Sequence, residues 1–96
     1  MEYLVYRYGS NKLNQPMRYE LPLCVVVAGS RAEALKVAQS YHQLYRNQFL
    51  EAVPVSRAKR KDLDEVYVRS WGYNATAKQH PQIIATVEPL PSDCSV

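Results

Sequence analysis

The side chains suited to acid–base, metal or nucleophilic chemistry are scattered along this chain. Glu51 and Glu88 fall on separate strand-like segments, where a carboxylate pair for general acid–base work would need them to converge. Solvent-facing strand positions account for both. His42 and His80 are the two histidines, and Cys24 and Cys94 the two cysteines. These four lack the close ligand pairs of a zinc site, and no Cys-x-x-Cys spacing occurs. His42 reads as a partly exposed helix residue beside Tyr41. Cys24, inside an apolar run, reads as a small buried hydrophobe. The three glycines, Gly9, Gly29 and Gly72, cannot be assembled into a phosphate loop or a dinucleotide fingerprint, and no serine stands in a nucleophile elbow. The expectation is a protein with no catalytic residue, no metal and no cofactor.

The densest charge is Arg57-Ala58-Lys59-Arg60-Lys61, followed at once by Asp62-Leu63-Asp64-Glu65. Its four cations exceed the formal net charge of +3, so the rest of the chain carries −1. A basic loop ahead of a helix N-terminus attracts phosphate, and Arg7, Arg18 and Arg69 would extend the patch. Tyr6 and Tyr8 share one face of a strand, with Tyr3 on the other, and exposed tyrosines stack on unpaired bases. Opposing this, the three acids that follow cut the local charge from +4 to +1. Four phosphate contacts to a single strand would give a salt slope of about −3, the mark of non-specific binding. Arg57, Lys59, Arg60, Lys61, Tyr6 and Tyr8 thus define an alternative reading, an RNA-binding domain. It is favoured if Tyr6 and Tyr8 lie on an open sheet face beside the basic segment.

Interfaces between proteins favour tyrosine, arginine, methionine and tryptophan. Met17, Arg18 and Tyr19 fall in a polar stretch that reads as a loop, and Trp71 and Tyr73 close a helix-like segment. These five are the expected partner-binding residues. A small domain without catalytic residues acts by occupying a surface on something larger, so the preferred function is an inhibitor, adaptor or subunit. Nucleic acid is the alternative partner, and a homo-oligomer is compatible with the same composition.

These residues need elements to hold them. Residues 2–8 read as a strand with Tyr3 and Val5 on one face and Leu4, Tyr6 and Tyr8 on the other. Apolar bulk on both faces belongs to a central strand. Residues 12–22, with Pro16 and Pro22, read as a long loop with an extended piece near 17–20. Residues 23–28 form the strongest strand. Ser30 and Glu33 then make a capping box, with Ser30 accepting from the amide of Glu33 and Glu33 from that of Ser30. The helix that follows buries Ala34, Val37, Ala38, Tyr41, Leu44 and Tyr45 and stops near Asn47. A third strand covers residues 49–55, with Pro54 placing it near a strand end or on a sheet edge. The basic run reads as a loop, and Asp62 as the cap of a second helix that ends at Gly72. A strand over 63–71 is the competing reading. Residues 83–88 make a fourth strand, and 89–96, with Pro89 and Pro91, a tail.

The order β-β-α-β-α-β implies an α+β fold: one four-stranded antiparallel or mixed sheet with both helices on one face, in a split-βαβ, ferredoxin-like layout. The first strand inserts between the second and third, antiparallel to both. Ninety-six residues make one domain. The longest apolar run, residues 23–28, is far too short to cross a bilayer, which needs about 20 residues. The N-terminus lacks the pattern of a signal peptide, so the expected setting is the cytosol, without membrane attachment.

Overall fold

Alternation along the first strand dictates the layering. The computed structural model describes residues 1–10, 18–42, 44, 48–70 and 82–87. β1 (Glu2–Ser10) pairs antiparallel with β2 (Arg18–Val27) on one side and with β3 (Gln48–Pro54) on the other. β4 (Ile83–Thr86) pairs antiparallel with β2, giving the order β3-β1-β2-β4. β1 therefore lies inside the sheet, between β2 and β3, as its two apolar faces require.

The same two faces each take a helix. Tyr3 and Val5 pack with Cys24, Val26, Leu50 and Ala52 against Ala34 and Ala38 of α1 (Arg31–Tyr41). Leu4 and Tyr6 pack with Val25 and Ala85 against Val66 of α2 (Arg60–Ser70). Successive strand side chains point to opposite faces, so α1 and α2 lie on opposite sides of the sheet. This corrects the expectation of two helices on one face. An apolar row left bare on either side of β1 would forfeit burial at roughly 25 cal/mol per Å², so the sequence that makes β1 central also demands a second layer. The fold is an α+β sandwich of three layers.

Element boundaries also differ from expectation, most of all at the start of β2 and the end of α1. β2 begins at Arg18, so the expected loop over 12–22 gives way to strand in its last five positions. Pro22 is accommodated because the register shifts between Val5 and Tyr6, with Val5 opposite Cys24 and Tyr6 opposite Pro22. Among the described residues the last bond between β2 and the chain beyond β4 runs from the Val87 amide to the Leu23 carbonyl, at 2.9 Å, and needs no N–H from Pro22. Cys24 is fully buried, as read.

α1 begins as the sequence implies, with the Ser30 hydroxyl accepting from the Glu33 amide at 3.1 Å. The carboxylate of Glu33 instead accepts from the amide of Gly29, at 3.0 Å. The helix ends at Tyr41 rather than near Asn47. Ser40 in its last turn donates its hydroxyl back to the Lys36 carbonyl at 2.8 Å, a bond that competes with continued helix. His42 then caps the helix in extended conformation and is buried, its Nε2 lying 3.5 Å from the Thr86 hydroxyl. It is not the partly exposed helix residue expected, because the helix stops before it.

Among the described residues no helix is long and apolar enough to cross a membrane.

Candidate functional site

The expected basic loop is cut down to Ala58 and Lys59, with Arg57 in a 3-10 turn and Arg60 and Lys61 in a helix. Val55–Arg57 form a 3-10 turn that leads off β3, and α2 opens directly after Lys59. The Lys59 carbonyl accepts from the amides of Asp62 and Leu63, at 3.1 and 3.2 Å. Asp62 thus lies inside the first helical turn and is not the cap. Arg60 and Lys61 share that turn, where the helix dipole disfavours cations. The turn forms because Val55, Ala58 and Leu63 pack onto Leu4 and Tyr6, which holds the helix start against the sheet. This settles residues 63–70 as helix.

Arg57, Lys59, Arg60 and Lys61 are all exposed. Arg60 pairs with Asp64 at 3.7 Å, and Arg69 with Glu65 at 3.3 Å, both one helical turn apart. Such exposed pairs contribute little to stability. Arg7 belongs to the face of β1 that packs under α1, with Tyr3 and Val5. It does not extend the basic segment, which lies on the α2 side.

Tyr6 and Tyr8 share the α2 side of β1 but not the same environment. Tyr6 is 4% exposed, and its hydroxyl donates to the Asp62 carboxylate. Tyr8 is half-buried and its ring centroid lies 6.1 Å from that of Tyr6. On its other side Tyr8 stacks on Phe49 of β3, at 5.2 Å with ring planes 12° apart. Phe49 is 43% exposed. Tyr3 is buried on the α1 side. No open face displays Tyr6 and Tyr8 together, because α2 and the 3-10 turn cover Tyr6.

The open ground lies further out, on β3. α2 packs over β2 and β4, whereas α1 packs over β3, β1 and β2. Phe49 and Glu51 therefore stand exposed on the α2 side, with Val53 half-buried beside them. β3 ends the sheet, and among the described residues no strand pairs with its outer edge.

Hydrogen-bond parity shows which backbone groups that edge presents. The Ala28 amide donates to the Met1 carbonyl at 2.9 Å. In an antiparallel ladder bonded and non-bonded pairs alternate. Tyr3 and Val5 therefore turn their backbone groups to β2, and Leu4, Tyr6 and Tyr8 turn theirs to β3. Opposite them, Val53, Glu51 and Phe49 face inward. The N–H and C=O groups of Leu50 and Ala52 point outward, while their side chains stay buried under α1. Pro54 falls on the same outward parity, where its missing N–H breaks no bond to β1.

At the end of the sheet where β1 begins, Met1, Glu2, Val27, Pro54, Val55 and Ser56 line an open cleft of about 510 Å³. Glu51 does not line it, and Glu88 lies outside the described residues. Tyr67 on α2 is held above its ordinary pKa of 10.0, first by burial and then by the Glu2 carboxylate. Among the described residues no three His, Cys, Asp or Glu side chains gather as metal ligands.

Of the expected partner residues, Met17, Trp71 and Tyr73 lie outside the described residues, as do His80, Cys94 and the tail. Arg18 and Tyr19 are backbone positions at the start of β2, opposite Ser10 and Gly9, rather than on a loop. Phe49, Leu50 and Ala52 went unnoticed in the sequence. Their signal was Pro54, which marks an edge, together with Phe49 and Glu51 alternating against Leu50 and Ala52. Comparisons with family models, curated proteins and solved structures found no match to this chain.

Proposed function

We propose that this chain is a small non-enzymatic protein that binds a larger protein, as inhibitor, adaptor or subunit, by docking along the outer edge of β3. One observation carries the reading. A seven-residue edge strand points the backbone groups of Leu50 and Ala52 outward beside the exposed ring of Phe49. Proteins blunt their edge strands with short length, bulges, lysines or prolines, because an open edge pairs with other chains. β4 follows that practice, being four residues long and bulged between Val25 and Val26 of its partner. β3 pairs with β1 without a register shift, and its one proline stands at its end. An unblunted edge with an aromatic anchor is the surface that strand addition uses. A cytosolic setting and the absence of enzymatic activity belong to the same proposal.

The test is capture of protein from the native lysate by the wild-type chain and by Phe49→Lys, with sedimentation of each alone. A partner held by wild type and lost by the variant supports the reading. A strict monomer that retains nothing, or equal retention by both, contradicts it.

A second reading, single-stranded RNA binding, is kept because Arg57, Lys59, Arg60 and Lys61 are all exposed on one short segment. Burial of Tyr6 and the pairing of Arg60 with Asp64 weigh against it. Affinity for a mixed oligonucleotide at two salt concentrations, for wild type and for a chain neutralised at those four positions, decides it. Equal affinity of the two proteins removes this reading.

A further inference from the structure

We infer that the β3 edge takes an extended segment of a partner protein carrying a central lysine or arginine between apolar residues two positions to either side. The inference rests on edge docking as proposed above and adds the chemistry of the occupant. Two sets of groups meet a strand laid along β3. The outward N–H and C=O groups of Leu50 and Ala52 fix its position through hydrogen bonds. Glu51, lying between them in sequence, points its side chain to the α2 side of the sheet, flanked there by Phe49 and Val53. The added strand places alternate side chains on that side, next to Phe49, Glu51 and Val53 in turn.

Charge complementarity then chooses the occupant. Glu51 is the one charged residue of β3 and is exposed. Opposite charges on neighbouring strands stabilise the pair, and like charges directly opposite destabilise it. Phe49 and Val53 offer apolar surface on either side of the carboxylate. The matching strand is apolar, basic and apolar at alternate positions. A second copy of this chain fits poorly. Antiparallel pairing of the full strand with itself sets Glu51 directly against the Glu51 of the other copy, a like-charge contact.

The probes are two blocked nine-residue peptides that alternate threonine with valine, a central charge and tyrosine. One carries lysine at the centre, the other glutamate. Binding is read from the backbone amide resonances of the folded full chain. The lysine probe is expected to shift the amides of Leu50 and Ala52 and to bind about two- to fivefold more tightly than the glutamate probe. Glu51→Lys, at an exposed position, reverses that order. Equal affinity for both probes overturns the inference and leaves edge docking standing. An order unchanged by Glu51→Lys overturns it too, as does the absence of shifts at Leu50 and Ala52. Self-association through β3 that the lysine probe does not compete away assigns the edge to a second copy instead. If Phe49→Lys also retains lysate protein as well as wild type does, edge docking itself falls.

Discussion

The hydroxyl of Tyr6, on the central strand β1, donates a hydrogen bond to the carboxylate of Asp62 in the first turn of α2. It ties the sheet to the start of the helix 56 residues away in sequence. It also fixes what the basic segment does. With Asp62 held to the sheet, Arg60 and Lys61 open the helix on its exposed side, and Tyr6 is withdrawn from any ligand.

Removing that hydroxyl leaves the carboxylate without its sheet partner. A hydrogen bond to a charged group is worth roughly 1.5–3 kcal/mol, and Asp62 is partly exposed, so Tyr6→Phe is expected to cost about 1.5 kcal/mol. Urea denaturation measures it. An unchanged midpoint would mean that Asp62 does not hold Tyr6 in solution.

At the start of α1, Ser30→Ala removes the acceptor for the Glu33 amide and is expected to cost about 1 kcal/mol. Glu33→Ala frees the Gly29 amide, and the side-chain amide of Gln82, which lies 3.5 Å from the same carboxylate oxygen, loses a neighbour. Both sites are exposed, so that loss is smaller. Combining the two variants tests their coupling, since each leaves the other's acceptor in place. A Ser30→Ala chain as stable as wild type would contradict the observed cap.

The close approach of α1 to the sheet depends on Ala34 and Ala38, both fully buried. Ala38→Leu inserts three carbons into a closed layer and is expected to destabilise by about 1–3 kcal/mol. Leu4→Ala, on the opposite side of the sheet under α2, is expected to cost about 2–5 kcal/mol. These residues touch different helices, so the two losses should add in the double variant. Strong non-additivity in denaturation would contradict helices on opposite faces.

Burial and the Glu2 carboxylate raise the pKa of Tyr67, and this has a consequence at alkaline pH. The folded chain keeps the proton that the unfolded chain gives up. Stability is therefore full below pH 10 and falls as pH rises through 10.0 and on through the raised folded value. Tyr67→Phe is expected to flatten that fall, and Glu2→Gln to lessen it. Denaturation midpoints between pH 9 and 11 check the sign; a steeper fall in Tyr67→Phe than in wild type would contradict it.

Much of the architecture was legible from local chemistry. Tyr3 and Val5 alternating with Leu4 and Tyr6 placed β1 inside the sheet, and Ser30 with Glu33 announced α1 to the residue. The second layer was missed for a physical reason. Amphipathic helices show which of their own faces is buried, not which face of the sheet receives them. Here the answer lay in β1, whose two apolar rows need two covers. Asp62 looked like a cap because its residue type favours that position. Packing of Val55, Ala58 and Leu63 on Leu4 and Tyr6 moved the helix start past it, a tertiary contact that no local pattern records. The β3 edge was half legible: Pro54 indicated an edge, but which backbone groups face outward depends on pairing with β1.

Docking along β3 requires that its outer edge be open in the free chain and available to a partner. Native-state hydrogen exchange of the amides of β3 tests it most directly. Phe49, Glu51 and Val53, bonded to β1, are expected to exchange slowly, and Leu50 and Ala52 to exchange fast at every protein concentration. Equal protection of all five amides in the dilute free chain would show the edge already covered and would contradict edge docking.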